Sequence, residues 1–139
     1  MDNVLDQQSS KSELILLSSI CQEECIKILT TIYPLNSPFW KTWNQRRNEY
    51  LYAYQLDKAP HKVNSYDDFE VLADYKSAFG KIPIDCLYLL SGNKNETLYN
   101  SLLLSHKYFY CGLQILDDVN DIREDFKNKQ FNIALLNEE

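Results

Sequence analysis

Glycine and proline are scarce, three and four among 139 residues. So few turn formers argue against a sandwich or barrel, which needs many tight reversals. No apolar run approaches the roughly 20 residues that cross a bilayer. Positive charge is also short, with 14 Lys+Arg against 20 Asp+Glu, a net charge of -6 and a pI near 4.9. That balance disfavours nucleic acid and anionic membrane surfaces as partners. The opening stretch MDNVLDQQSSK has neither the basic nor the apolar region of a secretion signal, so a cytoplasmic location is expected. Four cysteines are present, Cys21, Cys25, Cys86 and Cys111, none of them in a C-x-x-C pair. Neither His61 nor His106 lies at ligand spacing from them. The favoured reading is small buried apolar residues in a reducing compartment, with a zinc or redox role as the alternative.

What remains is a chain with 45% hydrophobic and 24% charged residues, enough for one packed domain. Residues 1–9 are polar and expected to be disordered. Ser10 and Glu13 form a possible capping box, followed by Leu14, Leu17, Ile20, Cys21, Ile28 and Ile32 at near-helical spacing. Pro34 ends that helix, and Ser37-Pro38 reads as the cap and first position of a second helix running to about Asp57. Ser65 and Asp68 open a third, from about Tyr66 to Phe79. Gly80, Lys81 and Pro83 interrupt it, a short apolar helix follows, and Gly92 stops that one. From about Glu96 to Asn128 the pattern is one long helix, roughly 45–50 Å at 1.5 Å per residue. No strand alternation and no internal repeat is evident. The expected architecture is all-α, a helical bundle over residues 10–136.

The segment with chemical content is Gln114 to Asp125, QILDDVNDIRED. Each helical residue turns by about 100°. With Asp117 at zero, Asp121 lies at about 40°, Asp125 at about 80°, Glu124 at about -20°, Gln114 at about 60° and Tyr110 at about 20°. Ile115, Val119 and Ile122 fall on the opposite side. Carboxylates stacked a turn apart repel one another. A divalent cation reverses that sign, because Mg²⁺ takes carboxylate oxygens from successive turns and fills its shell with water and phosphate. The plainer reading is a solvated acidic face, although the helix C-terminus disfavours anions. Lys76 is a second oddity. Phe69, Leu72, Ala73 and Phe79 surround it on one stripe, so its ammonium is expected on the apolar side, where it needs a partner. An internal ion pair, snorkelling to the surface and a bound phosphate all remain open.

QILDDVNDIRED resembles the second aspartate-rich motif of the class I isoprenoid synthases. Gln114, Ile115, Asp117, Asp118 and Asp121 fit the Q-I-x-D-D-x-x-D of trans-polyprenyl diphosphate synthases. Asp121, Glu124 and Asp125 fit the D-x-x-E-D of squalene and phytoene synthases. Asp117, Asp121 and Asp125 occupy the i, i+4, i+8 ligand positions of terpene cyclases. Lys76-Ser77, in YKSAFGKIPIDCLYLLSG, is similar to the Lys-Thr pair that contacts diphosphate in the polyprenyl synthases. The resemblance covers about Ser37 to Leu136, the second half of such an enzyme. No first aspartate-rich motif precedes it, and Lys129-Gln130 stand where squalene and phytoene synthases have Gly-Arg.

The resemblance implies an isoprenoid-biosynthesis transferase with a central apolar cavity. Asp117, Asp121 and Asp125 would hold Mg²⁺, with Asp118, Glu124 and Gln114 as auxiliaries. Lys76 would contact the prenyl diphosphate, and Tyr110 would line the cavity. A half-site of this kind is expected to act as a homodimer or with a second chain supplying the missing half, and to be inactive alone. The alternative is a helical interaction protein without catalysis, whose open apolar wall docks a partner or a second copy.

Overall fold

The computed structural model describes residues 12–59, 62–63, 65–128 and 130–136. Residues 1–9, Ser10 of the capping box, His61 and Lys129 lie outside that set. The described residues form five α-helices and no strand: α1 Ser12–Ile32, α2 Phe39–Asp57, α3 Tyr66–Lys76, α4 Ile82–Leu90 and α5 Glu96–Asn128. Single turns of 3-10 helix lie at Ala78–Lys81 and Ile133–Leu135. The expected all-helical class is what the chain adopts. No helix of the described residues is long and apolar enough to cross a membrane. Two compact units divide the chain, residues 1–40 and 41–139.

In the first unit, α1 carries apolar residues all around its circumference and none of residues 14–32 is buried. Cys21 and Cys25, expected inside, are therefore exposed. After Pro34 the chain folds back on itself. The Trp40 indole N–H donates to the Tyr33 and Pro34 carbonyls at 3.2 and 3.0 Å, and Tyr33 stacks on the fully buried Phe39 with ring centres 4.2 Å apart. Ser37 Oγ accepts the Phe39 N–H at 3.3 Å, as the cap reading requires.

The second unit is built around α3. Ser65 caps it, its Oγ accepting the Asp68 N–H at 3.1 Å. Two clusters of side chains flank the helix. Leu72 packs with Ala53 and Leu56 of α2 and with Val63, while Phe69 and Ala73 pack with Cys111 of α5. Phe131, after α5, touches both clusters and so ties the C-terminal segment to them. Cys111 is buried as anticipated.

α3 ends at Lys76, three residues earlier than the apolar pattern suggested. The Ser77 hydroxyl turns back to the Asp74 carbonyl at 2.9 Å, and the Gly80 N–H takes the Ser77 carbonyl at 2.8 Å, which tightens the chain into a 3-10 turn. α4 closes at Gly92, whose φ of +70° is a conformation that only glycine adopts cheaply. Asn95 Oδ1 then accepts the Leu98 N–H at 3.0 Å and starts α5.

Candidate functional site

The second half of α5 carries the acidic face. Asp117, Asp121 and Glu124 are exposed, and Asp125 is half-buried. Asp117 and Asp121 have no hydrogen-bond or ion-pair partner among the described residues. Asp125 commits one oxygen to the Asn132 amide at 2.9 Å.

Asp118 behaves differently from its neighbours. It is 3% exposed and holds the C-terminal segment against α5. Its Oδ2 accepts the Ile133 backbone N–H at 2.7 Å, and its Oδ1 accepts the Gln114 amide at 2.6 Å. Asn132 completes the clasp by donating to the Asp118 carbonyl at 2.5 Å. Burial raises the Asp118 pKa above the ordinary carboxylate value, and the Ile133 N–H, the Gln114 amide and the Lys76 ammonium pull against that rise. Gln114 and Asp118, anticipated as auxiliaries of a metal site, thus spend their polar atoms on each other and on the chain's end.

Lys76 is not on the apolar side. It is exposed, and its Nζ meets Asp57 Oδ1 at 3.1 Å. The reason is its place at the last residue of α3, where a long stem reaches past the buried Phe69, Leu72 and Ala73 to the end of α2. The carbonyls that end α2 favour a cation there as well. Lys76 still lies close enough to Asp118 to act on its titration. Tyr110 is half-buried beside His106, with ring centres 4.5 Å apart, and its hydroxyl lies near Gly80. Pockets of about 350 and 560 Å³ open in this unit, and neither of these is lined by Tyr110 or by an acid of α5.

The buried charges form a separate network. Asp85 is 1% exposed, accepting Arg46 Nε at 2.8 Å, Arg46 Nη2 at 2.9 Å and the Tyr99 hydroxyl at 2.7 Å. Arg46 Nη1 also donates to both Glu49 oxygens, at 3.0 and 3.1 Å. Lys81 joins Asp74 at 2.7 Å to Glu49 at 3.4 Å. Burial works against the Arg46 charge, but Asp85 and Glu49 more than offset it and raise its pKa. Tyr99 is pushed up to about 12 by burial and by its bond to Asp85. The 350 Å³ pocket is lined by Arg46, Glu49, Asp74, Lys81, Asn100 and Lys107, and every charge on that wall has an opposite partner.

His106 feels the charges of this network and has both ring nitrogens buried and unbonded among the described residues. Burial lowers its pKa, and the Lys81 and Arg46 charges add to the effect against the opposing Asp74 and Asp85. The unfolded chain takes up a proton at His106 near pH 6.5, while the folded chain takes it up only at lower pH. Stability from this group is therefore present above pH 6.5 and lost as pH falls through that window. Urea midpoints measured above and below the window should fall for the wild type, and His106→Gln should flatten the change. An unchanged slope in the variant would assign the pH dependence elsewhere.

Sequence reasoning missed this network. One signal was available: Asp85 is the only charged residue in IPIDCLYLL, and a lone acid in an apolar helix needs a cation. Arg46 gave no signal, because α2 is polar on several faces.

Hard carboxylate oxygens without a competing partner suit Mg²⁺, which is commonly held by one or two carboxylates together with water and substrate phosphate. Asp117 and Asp121 meet that requirement, and Asp125 has one oxygen uncommitted. Among the described residues no three metal-ligating side chains gather into a closed cluster. No family model, no curated protein and no solved structure matches this chain.

Proposed function

We propose that the chain binds a divalent cation and a prenyl diphosphate on the acidic face of α5, as part of an isoprenoid-synthase-type enzyme. The observation that carries this reading is the pair Asp117 and Asp121, one turn apart with no partner among the described residues. Two such carboxylates weaken a bare helix, and a shared cation relieves them. Asp117 and Asp121 hold Mg²⁺, Asp125 adds its uncommitted oxygen, and Glu124 supplies further negative charge at the rim. Lys76 contributes the cation for the diphosphate oxygens by exchanging Asp57 for substrate. Asp118 and Gln114 act indirectly, keeping α5 and the C-terminal segment in register. When bound, Mg²⁺ neutralises the charge that a departing diphosphate develops. A second aspartate-bearing layer, from another copy or another chain, completes the enzyme.

Calorimetry with Mg²⁺ and inorganic diphosphate or a bisphosphonate tests the assignment. Wild type should give saturable heat only when the metal is present, and Asp121→Ala should bind about tenfold more weakly or worse. Equal heats for the two proteins would remove these residues from the site. A second reading, a helical protein that associates without catalysis, draws on the exposed apolar side chains of α5. It expects no diphosphate heat from either protein.

A further inference from the structure

Between Thr97 and Leu116 the sequence of α5 contains one charged residue, Lys107, and that residue is paired with Glu70 of α3. The opposite side of the helix is uncharged and open. Stepping alternately three and four residues from Leu102 reaches Ser105, Phe109, Gly112, Leu116 and Val119, all exposed. Phe109 is 62% and Leu116 59% exposed, and beyond its chain neighbours and the helix's own backbone no atom of the described residues lies within 4 Å of where a Gly112 side chain would begin. This three-four spacing is the seam of a helix that packs along its length on another helix.

We propose that this seam is the interface for a second copy of the chain, paired antiparallel. The argument for self-pairing is complementarity of size. With the two helices running in opposite directions, Phe109 lies over Gly112 of the partner subunit. Leu116 lies over Ser105 of the partner subunit, and Leu102 meets Val119 of the partner subunit. Each bulky side chain then faces a smaller one. A parallel pair would set Phe109 against its own copy and leave a gap at Gly112, which close packing disfavours. The area also suffices. With Leu98, Tyr108 and Leu113 at its margins, the face exposes on the order of 700 Å² of large apolar side chains, close to the roughly 800 Å² that each partner buries in a standard interface. The lack of charge along the seam matches the charge depletion of interface cores.

The seam is independent of the acidic face, since Asp117 and Asp121 lie about 100° and 140° around the helix from Leu116. Loss of pairing and loss of diphosphate binding are therefore separable results. Sedimentation equilibrium of the full chain at micromolar concentration should give twice the 16.4 kDa chain mass. Gly112→Leu should keep the helical circular dichroism, because one copy has room for the side chain. It should raise the dimer dissociation constant about tenfold or more, because the partner's Phe109 needs that space. Leu116→Asp should dissociate the dimer as well. Under oxidation, Ser105→Cys with Leu116→Cys should cross-link well above the wild-type background, and Ser105→Cys alone should not. A wild-type monomer throughout, or a dimer indifferent to Gly112→Leu, would overturn the proposal, as would cross-linking through Ser105→Cys alone.

Discussion

Asp85→Ala should cost the fold about 3–5 kcal/mol, the range for removing one partner of a buried ion pair. The substitution strands Arg46, which is itself 5% exposed, with Glu49 as its remaining carboxylate. It also takes the acceptor from the Tyr99 hydroxyl. A domain of this size has on the order of 5–15 kcal/mol in total, so the variant stands near the edge of folding. Tyr99→Phe, which removes one neutral donor, should cost only about 1 kcal/mol. Replacing both charges, Arg46→Met with Asp85→Leu, should cost less than Asp85→Ala alone, because no charge is left unpaired. Urea unfolding of the set reads these differences directly. A loss under about 1 kcal/mol for Asp85→Ala would mean that the α2–α4–α5 network is not what anchors these helices.

The second large effect is expected at Asp118. Alanine there removes the acceptor for the Ile133 N–H and for the Gln114 amide together, and both groups lie in a partly buried setting. At roughly 1–3 kcal/mol for each stranded donor, the loss should be about 2–4 kcal/mol, reduced where the C-terminal segment peels away into water. Asparagine should be tolerated. Its oxygen can serve Ile133, its amide can serve a turned Gln114, and no charge has to be buried. Hydrogen exchange should show residues 130–136 opening in Asp118→Ala and staying protected in Asp118→Asn. Equal behaviour of the two variants would deny the clasp. The pair also separates roles within the acidic run, because a ligand-binding carboxylate would not tolerate asparagine so well.

The helix framework was readable because its signals are local. Ser37-Pro38, Ser65 with Asp68, and Gly92 each act through the first or last turn, and each does in the structure what its chemistry implies. The end of α3 was harder, since Phe79 extends the apolar pattern while the Ser77 hydroxyl and Gly80 favour a 3-10 turn. Within the acidic run the periodicity set the exposed Asp117 and Asp121 apart from the half-buried Ile115 and Ile122, although Val119, on that same apolar side, is exposed and Asp125 is half-buried. It could not reveal that Asp118 is taken by a segment arriving from residues 132–133, because that contact depends on tertiary structure. Lys76 shows the same limit in reverse. Its apolar neighbours pointed inward, but a lysine on the last turn of a helix has the reach to leave them. Arg46 and Glu49 were invisible for want of contrast, whereas Asp85 stood out in an apolar helix.

On the function proposed above, the outer carboxylates of α5 hold a metal and, through it, a diphosphate. Mn²⁺ in place of Mg²⁺ makes this directly visible, because its unpaired electrons broaden amide resonances close to it. Titrating Mn²⁺ into the labelled protein should broaden residues 114–125 first, and inorganic diphosphate should sharpen the affinity and extend the broadening to Lys76. Broadening that is absent, or spread evenly over the acidic surface and indifferent to diphosphate, would rule out a metal site on these carboxylates.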